Sequence, residues 1–449
     1  MSARAPARNF QIRRILNLST APAVSVPHRP RFSRLADWLA WQESLHGAEI
    51  ELGLDRCRAV YEHMGLGKPP YVVISVAGTN GKGSSVALLD AILSAAGYRV
   101  GCYTSPHLLR YNERIQISGT PASDETICTA FDYVDHHRGG ISLTYFEFGT
   151  LAAFDIFSRA AIDVAVLEVG LGGRLDAVNI LDADAALVAA VDIDHVEWLG
   201  PDRESIGREK AGIFRAGHPA ICSDPRPPAS LVQYAGQIGA RLSLYGRDYG
   251  WEKSAAGWTW WGRDQRLPDL PPPHLHGEFQ LQNAAGVMKV LEELRDRCPV
   301  TRTAIEQGLR HVSLKGRFQI FPGAVTWILD VAHNPQSARV LAETLRSHPC
   351  AGHTHFLVGM LRDKDIRGVF QIMSGLASHW HLVTLPGRRG TTAEFLYGQW
   401  QAAGGNAAVS LYDDVEAAYA WVRQLVAAGD RVLVFGSFLT VAGAAKLIE

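Results

Sequence analysis

From Phe32 onward, short β-branched apolar runs alternate with longer stretches whose apolar residues recur at helical spacing. That is the pattern of a parallel sheet covered by helices. Tyr71 to Gly78, Tyr98 to Ser105, Asp163 to Gly170 and Ala186 to Asp194 read as buried strands of one sheet. The stretch from Arg241 to Gly277 is irregular, and its Trp, Gly and Pro content predicts hairpins and a loop. A helix over about Glu278 to Arg297 follows and stops at Cys298-Pro299. Past "GRFQIF" a second series begins, with strands at Thr326–Ala332, His353–Met360, His379–Leu385, Ala408–Tyr412 and Arg431–Ser437. The expected fold is therefore α/β, with a second doubly wound domain after about residue 312. Ligands of such sheets sit at the carboxyl ends of the strands, in a cleft where two domains face each other.

Composition narrows the function classes. A length of 449 residues is too great for one core and suits two or three domains. A formal net charge of −1 provides no field to attract nucleic acid or an anionic membrane. No apolar run is long enough to span a bilayer and no cleavable leader is evident, so a cytoplasmic protein is expected. The six cysteines contain no CxxC pair, which fits a reducing compartment. Residues 1–31 hold six arginines and no acid. We read them as a disordered extension, an organelle-import sequence being the minor alternative.

The chemistry starts at "VVISVAGTNGKGSS", Val72 to Ser85. A strand running into Gly78-Thr79-Asn80-Gly81-Lys82 and then into a helix offers backbone N–H groups and a lysine to a phosphate. The usual phosphate loop would have Gly at Val76 and a Mg²⁺-binding hydroxyl at Gly83. Metal ligands must come from other strand ends, and Ser105, Glu168 and His195 are the candidates. An acid such as Glu168 inside a buried strand is costly unless paired or metal-bound. Each has an alternative: Ser105 as a helix cap before Pro106, Glu168 as partner of an arginine such as Arg174, His195 as a hydrogen-bonded histidine.

The segments "VAGTNGKGSS", "YTSPHLLRYNERI", "LTYFEFGTLAAF", "LEVGLGGRLDAVNI", "DHVEWLGPDRESIGREKAGIFR", "GRFQI" and "DVAHNP" resemble, in order, those of the folylpolyglutamate synthase and dihydrofolate synthase family, relatives of the Mur ligases. The resemblance runs from about Asp37 to the C-terminus. It implies a Mur-ligase-like ATP-binding domain over 32–312, a P-loop ATPase unit with a parallel sheet and a small β-rich region. A Rossmann-like ligase domain over 313–449 would follow. It implies that MgATP is held by Thr79, Asn80, Gly81 and Lys82, with Asn283, Arg317 and Asp330 also on ATP, and that Ser105, Glu168 and His195 ligate Mg²⁺. The pterin substrate would be held by Ser44, Leu45, His46 and Gly47, by Thr144, Tyr145, Phe146 and Glu147, and by Leu175, Asp176 and Ala177. Lys210 would be carbamylated and ligate a second Mg²⁺, where a plain reading makes it half of an exposed ion pair beside Arg208 and Glu209. His333 would assist on the second-domain side, unless it only caps a helix. The implied activity is ATP-dependent ligation of L-glutamate to dihydropteroate and to reduced folates through an acyl phosphate, or to folates alone. The expected partners are small molecules, with no nucleic acid or membrane, and the chain is expected to be a monomer.

A phosphate-loop kinase would share Lys82 but gives no reason for a second α/β domain. A silent binding protein would have lost ligands, and here every matched position is filled. "HLH" (His274, His276) and "HTH" (His353, His355) have the spacing of a two-ligand strand site, but nothing beside them in sequence completes one. "WTWW", Trp258 to Trp261, reads as the packed face of a hairpin.

Overall fold

A computed structural model describes residues 30–48 and 50–448. Of the expected extension, residues 1–29 lie outside the described residues; Arg31 bonds Asp135 at 2.8 Å and lies 4.6 Å over the Trp41 ring.

The first sheet has eight strands: β1 (Val72–Ala77), β2 (Val100–Tyr103), β3 (Ile115–Ile117), β4 (Thr120–Pro121), β5 (Val164–Glu168), β6 (Ala185–Val188), β7 (Pro219–Cys222) and β8 (Arg241–Leu244). Their order is β4-β3-β2-β5-β1-β6-β7-β8, parallel throughout except for β3 and β4 at one edge. Every residue of β1 is buried, as expected for a strand covered on both faces. Its side chains alternate between two cores: Val73 and Ala77 join one with helix Tyr145–Ala160, Ile74 and Val76 the other with helices Lys82–Ala95 and Phe279–Glu293.

A three-stranded antiparallel sheet follows: β9 (Gly250–Ser254), β10 (Gly257–Trp261) and β11 (Arg266–Leu270). Trp258 and Trp260 are buried on it, their indole N–H groups donating to Pro271 and Ala285 carbonyls. The tryptophan run is thus a packed hairpin face.

The second large sheet comprises β12 (Gln319–Phe321), β13 (Thr326–Leu329), β14 (Thr354–Val358), β15 (His379–Val383), β16 (Ala408–Tyr412) and β17 (Arg431–Phe435), in the order β12-β13-β17-β14-β15-β16. Only β12 is antiparallel.

Three expectations need correcting. The strand read over Ala186 to Asp194 ends at Val188, so residues 189–195 form a loop. Pro219–Cys222 is a parallel strand that the pattern did not reveal. Arg241–Leu244, grouped with the hairpins, pairs in parallel with β7 and extends the first sheet.

Candidate functional site

The glycine loop leaves β1 with Gly78 at φ 155° and turns at Gly81, φ 86°, before helix Lys82–Ala95. A Cβ on Gly81 would lie 2.6 Å from Asn283 Oδ1, so both the left-handed backbone and the close approach require glycine. Thr79 ties the loop to the segment after β6: its N–H donates to Ala190 O at 2.6 Å, and its hydroxyl donates to Asp192 O at 2.8 Å. Lys82 Nζ donates to the carbonyls of Gly78 and Thr79, at 2.9 and 3.2 Å. Burial pushes its pKa down, while the carboxylates of Glu168 and Asp194 act in the opposite direction. At Gly83 a Cβ would meet only ordinary contacts, 3.6 Å from Leu314 and 3.9 Å from Glu168 Oε2. Crowding therefore does not exclude a hydroxyl there, and Glu168 supplies an oxygen close by.

Glu168 ends β5 in register with Val76 of β1 and is 5% exposed. Its Oε2 accepts from Ser105 N–H at 3.3 Å. Burial raises its pKa, and the charges of Lys82 and Arg317 oppose that rise. The alternative partner Arg174 is engaged elsewhere, bonding Glu209 at 2.9 and 3.0 Å. Ser105 caps no helix among the described residues. His195 sits beyond the end of β6 at φ 52°, before the short helix Val196–Leu199. Burial, then the Lys364 charge, pushes the imidazole down to about 4, so it is neutral at ordinary pH with a lone pair to offer. Hydroxyl, carboxylate and neutral imidazole form a donor set suited to a small divalent cation.

Lys210, in helix Arg203–Ala211, is 3% exposed, which overturns the surface ion-pair reading. Glu209 pairs instead with Arg174, and Arg208 lies 4.0 Å over the Tyr234 ring. Burial and, next, the nearby Lys82 charge push Lys210 down to about 7.

The second sheet closes over this group. Asp330, just past β13, accepts from the N–H groups of Phe318 and Ala332, both at 2.8 Å. Burial raises its pKa and lowers that of Arg317. Asn283 Nδ2 donates to Gln280 Oε1 at 2.9 Å. His333 is not the cap of helix Pro335–Ser347; Asn334 is, accepting from Ser337 N–H at 2.9 Å. His333 Nδ1 lies 2.8 Å from Val331 O and its Nε2 3.6 Å from Asp194.

Four contributors to this closure were not anticipated. Asn80 Nδ2 donates to Asn334 Oδ1 at 3.2 Å and to Gln336 Oε1 at 2.5 Å. Lys364 Nζ bonds Asp194 at 2.7 Å and lies 3.5 Å from His195 Nε2. Burial would raise the Asp194 carboxyl, but His333 and Lys364 outweigh it and hold it well below the usual carboxylate range. The only sequence signal for Lys364 is a position six residues past a strand end, which charged loop residues commonly occupy without function.

Thr79, Asn80, Gly81, Lys82, Ser105, Glu168, His195, Lys210, Asn283, Arg317, Asp330 and His333 all line one cavity of about 980 Å³ between the two sheets' carboxyl ends. The three expected pterin segments do not line it. Two of them back its Gly170–Gly172 wall, through Phe146 and Asp176. Phe146 abuts Gly170, where a Cβ would come within 2.7 Å, and is 5.7 Å from the Tyr103 ring; Tyr145 meets Tyr111 edge-on at 5.7 Å. Ser44 donates to Trp41 O at 2.9 Å, and Leu45 packs on the core. His46 bridges Ser142 and Glu51 at 2.7 and 2.8 Å, while a Cβ on Gly47 would touch nothing within 4 Å. Thr144 and Glu147 form a capping box, and Glu147 also pairs with Arg56 at 3.1 Å. Leu175 O accepts from Gly53 N–H, and Ala177 opens a short 3₁₀ turn. Asp176 accepts from Leu171 N–H at 2.8 Å, and burial pushes its carboxyl up to about 7.

Comparison with known proteins gives a consistent neighbourhood. Residues 316–438 match the "Mur ligase, glutamate ligase domain" family. The dihydrofolate synthase/folylpolyglutamate synthase of Escherichia coli K12 is 42% identical over 93% of this chain and 96% of its own, and that of Haemophilus influenzae 38% over 93% and 98%. The structure of E. coli FolC in complex with DHPP and ADP superposes with a TM-score of 0.87 at 42% identity, covering 93% of this chain and 98% of that one. A bifunctional folylpolyglutamate synthase/dihydrofolate synthase with Mn, AMPPNP and L-glutamate bound superposes with a TM-score of 0.85 at 44% identity, covering 93% and 98%. No helix among the described residues is long and apolar enough to cross a membrane.

Proposed function

The chain belongs to the dihydrofolate synthase/folylpolyglutamate synthase family, and we propose that its cleft joins L-glutamate to dihydropteroate and to reduced folates using ATP. The observation that carries this reading is the convergence of the Lys82 loop, Glu168 and the second-sheet residues Asp330 and His333 on one cavity.

A carboxylate resists attack by an amine because it is anionic and its leaving group would be oxide. Transfer of the γ-phosphoryl group of ATP to a carboxylate oxygen releases ADP and leaves an acyl phosphate. The deprotonated amine of glutamate adds to the acyl carbon, and expulsion of phosphate forms the amide. The residues have corresponding tasks. Asn80 to Lys82 present N–H groups and a cation to the phosphates on a loop that Thr79 ties down, and Asn283 beside the loop, with Arg317 and Asp330 from the second domain, contact ATP. Ser105, Glu168 and His195 would hold a Mg²⁺ ion, which would neutralise charge at the phosphates. Contacts between Asn80 and Asn334 and between Asp194 and Lys364 hold the two domains together, which excludes water from the acyl phosphate. His333 orients the substrate from the second-domain side. The pterin would lie against the Gly170–Gly172 wall, positioned by the segments behind it.

Lys210, with a pKa lowered enough to hold neutral amine near pH 7, adds to CO₂ and loses a proton. The resulting carbamate is an anion suited to a second Mg²⁺. We divide the chain near residue 312, where helix Arg302–His311 ends. Its Gly308 packs directly on Ile92 of the first domain, and β12 begins the second sheet soon after.

Complementation of a strain lacking dihydrofolate synthase tests the pairing of activities. Growth on folate-free medium is expected; soluble expression without growth would leave a synthase that only extends folates.

A further inference from the structure

The second sheet carries a cluster of histidines at the end opposite the cleft. His379 and His381, two apart on β15, share one face of the sheet, and His355 of β14 is in register with His379. Sequence spacing pointed to His353 and His355, but the companions of His355 come from the neighbouring strand. His355 and His381 are buried, and His379 is partly exposed, giving an ion a route from solvent.

Each ring has one nitrogen directed at a polar partner. His381 Nδ1 is 2.9 Å from the Tyr412 hydroxyl, His379 Nε2 is 2.9 Å from Ser410 Oγ, and His355 Nε2 is 3.9 Å from Asp430. Asp430 is itself fixed by the N–H groups of His353 and Ala427, at 2.6 and 2.8 Å. His355 Nδ1 and His381 Nε2 face each other at 3.2 Å, and one nitrogen from each of the three rings lies within 4.8 Å of the others. Zinc held tetrahedrally by imidazoles sets its nitrogens about 3.3 Å apart; the rings stack at 11° to 24° to one another, so they tilt out of the stack for their lone pairs to converge on one ion. Hydroxyl and carboxylate partners behind ligating imidazoles are the usual means of fixing ring orientation. Burial pushes all three imidazoles below their ordinary range, which favours the neutral form that ligation uses.

We propose that His355, His379 and His381 bind a divalent transition-metal ion of the Zn²⁺ class, with water completing the coordination. The ion bridges β14 and β15 and takes no part in the ligase reaction. The strand ends that feed the cleft lie at the other edge of this sheet, where Lys364 follows β14.

The test uses the full chain, stripped with a chelator and titrated with Zn²⁺ under saturating Mg²⁺ and ADP so that the cleft is filled. The wild type should hold one Zn²⁺ more than His379→Gln or His381→Gln, and Zn²⁺ should raise the unfolding temperature of the wild type alone. Tyr412→Phe should weaken binding by about 10- to 100-fold. His379 opens its strand and is partly exposed, so its variant stays informative even if His381→Gln fails to fold. Equal zinc content in the wild type and His379→Gln, with no difference in thermal shift, would overturn the proposal.

Discussion

Asn80 of the glycine loop and Asn334 at the head of helix Pro335–Ser347 exchange side-chain hydrogen bonds of 3.2 and 3.3 Å, although 254 residues separate them. One end of this reciprocal pair sits on the phosphate loop and the other caps the first helix after β13. The glycine loop and the second domain are thereby tied through two amides. Asn80→Ala removes the pair and leaves the Asn334 cap intact. With the Asn80 bond to Gln336 also lost, the variant forfeits three bonds at about 0.5–1.5 kcal/mol each, so kcat should fall about tenfold or more and the unfolding free energy should drop by no more than that sum. Steady-state kinetics beside urea denaturation checks this; an unchanged kcat would separate closure from catalysis.

Glu168→Gln and His195→Ala each remove a proposed metal ligand at the cleft rather than core packing. Turnover should drop by orders of magnitude while the circular dichroism spectrum and unfolding transition persist. Full activity of either variant at ordinary Mg²⁺ would remove that residue from the metal site.

Lys364→Met leaves Asp194 buried without its closest cation. Breaking one side of a buried pair typically costs about 3–5 kcal/mol. A double variant with Asp194→Asn should recover most of that loss. Chemical denaturation of the three variants measures the coupling, and additive losses would mean that the pair is not coupled.

Lys210 links stability to pH. In the unfolded chain a lysine titrates near about 10.4, and in the fold this one is pushed down to about 7. Between those values the folded chain binds fewer protons than the unfolded one. Stability in CO₂-free buffer should therefore rise as pH climbs through that window and level off above it. Lys210→Met should flatten the rise. In the ligase assay, Lys210→Ala should be nearly inactive and partly rescued by short carboxylates; undiminished activity would leave the second ion without its ligand.

The sequence made much of this legible because apolar runs and glycines report buried strands and tight turns directly. Val72–Ala77 and Gly78 to Lys82 were readable for that reason, as was the isolated acid Glu168. Pro219–Cys222 was not, since four residues opening on proline and closing on cysteine lack a β-branched signature. The end of β6 was overrun because Ala189 to Val191 stay apolar while leaving the sheet. Lys210 was ambiguous: a lysine between Glu209 and Ala211 shows charge spacing, whereas its burial depends on packing from distant segments. Lys364 and Asn334 act across the domain boundary, and no local pattern encodes a contact between residues so far apart.

The central claim is ATP-dependent amide formation across the two domains. Purified protein given dihydropteroate, L-glutamate and ATP should release phosphate in step with formation of dihydrofolate, and omission of any one substrate should stop both. Phosphate release that continues unchanged without glutamate or without dihydropteroate, or a phosphorylated acceptor with no amide product, would contradict it.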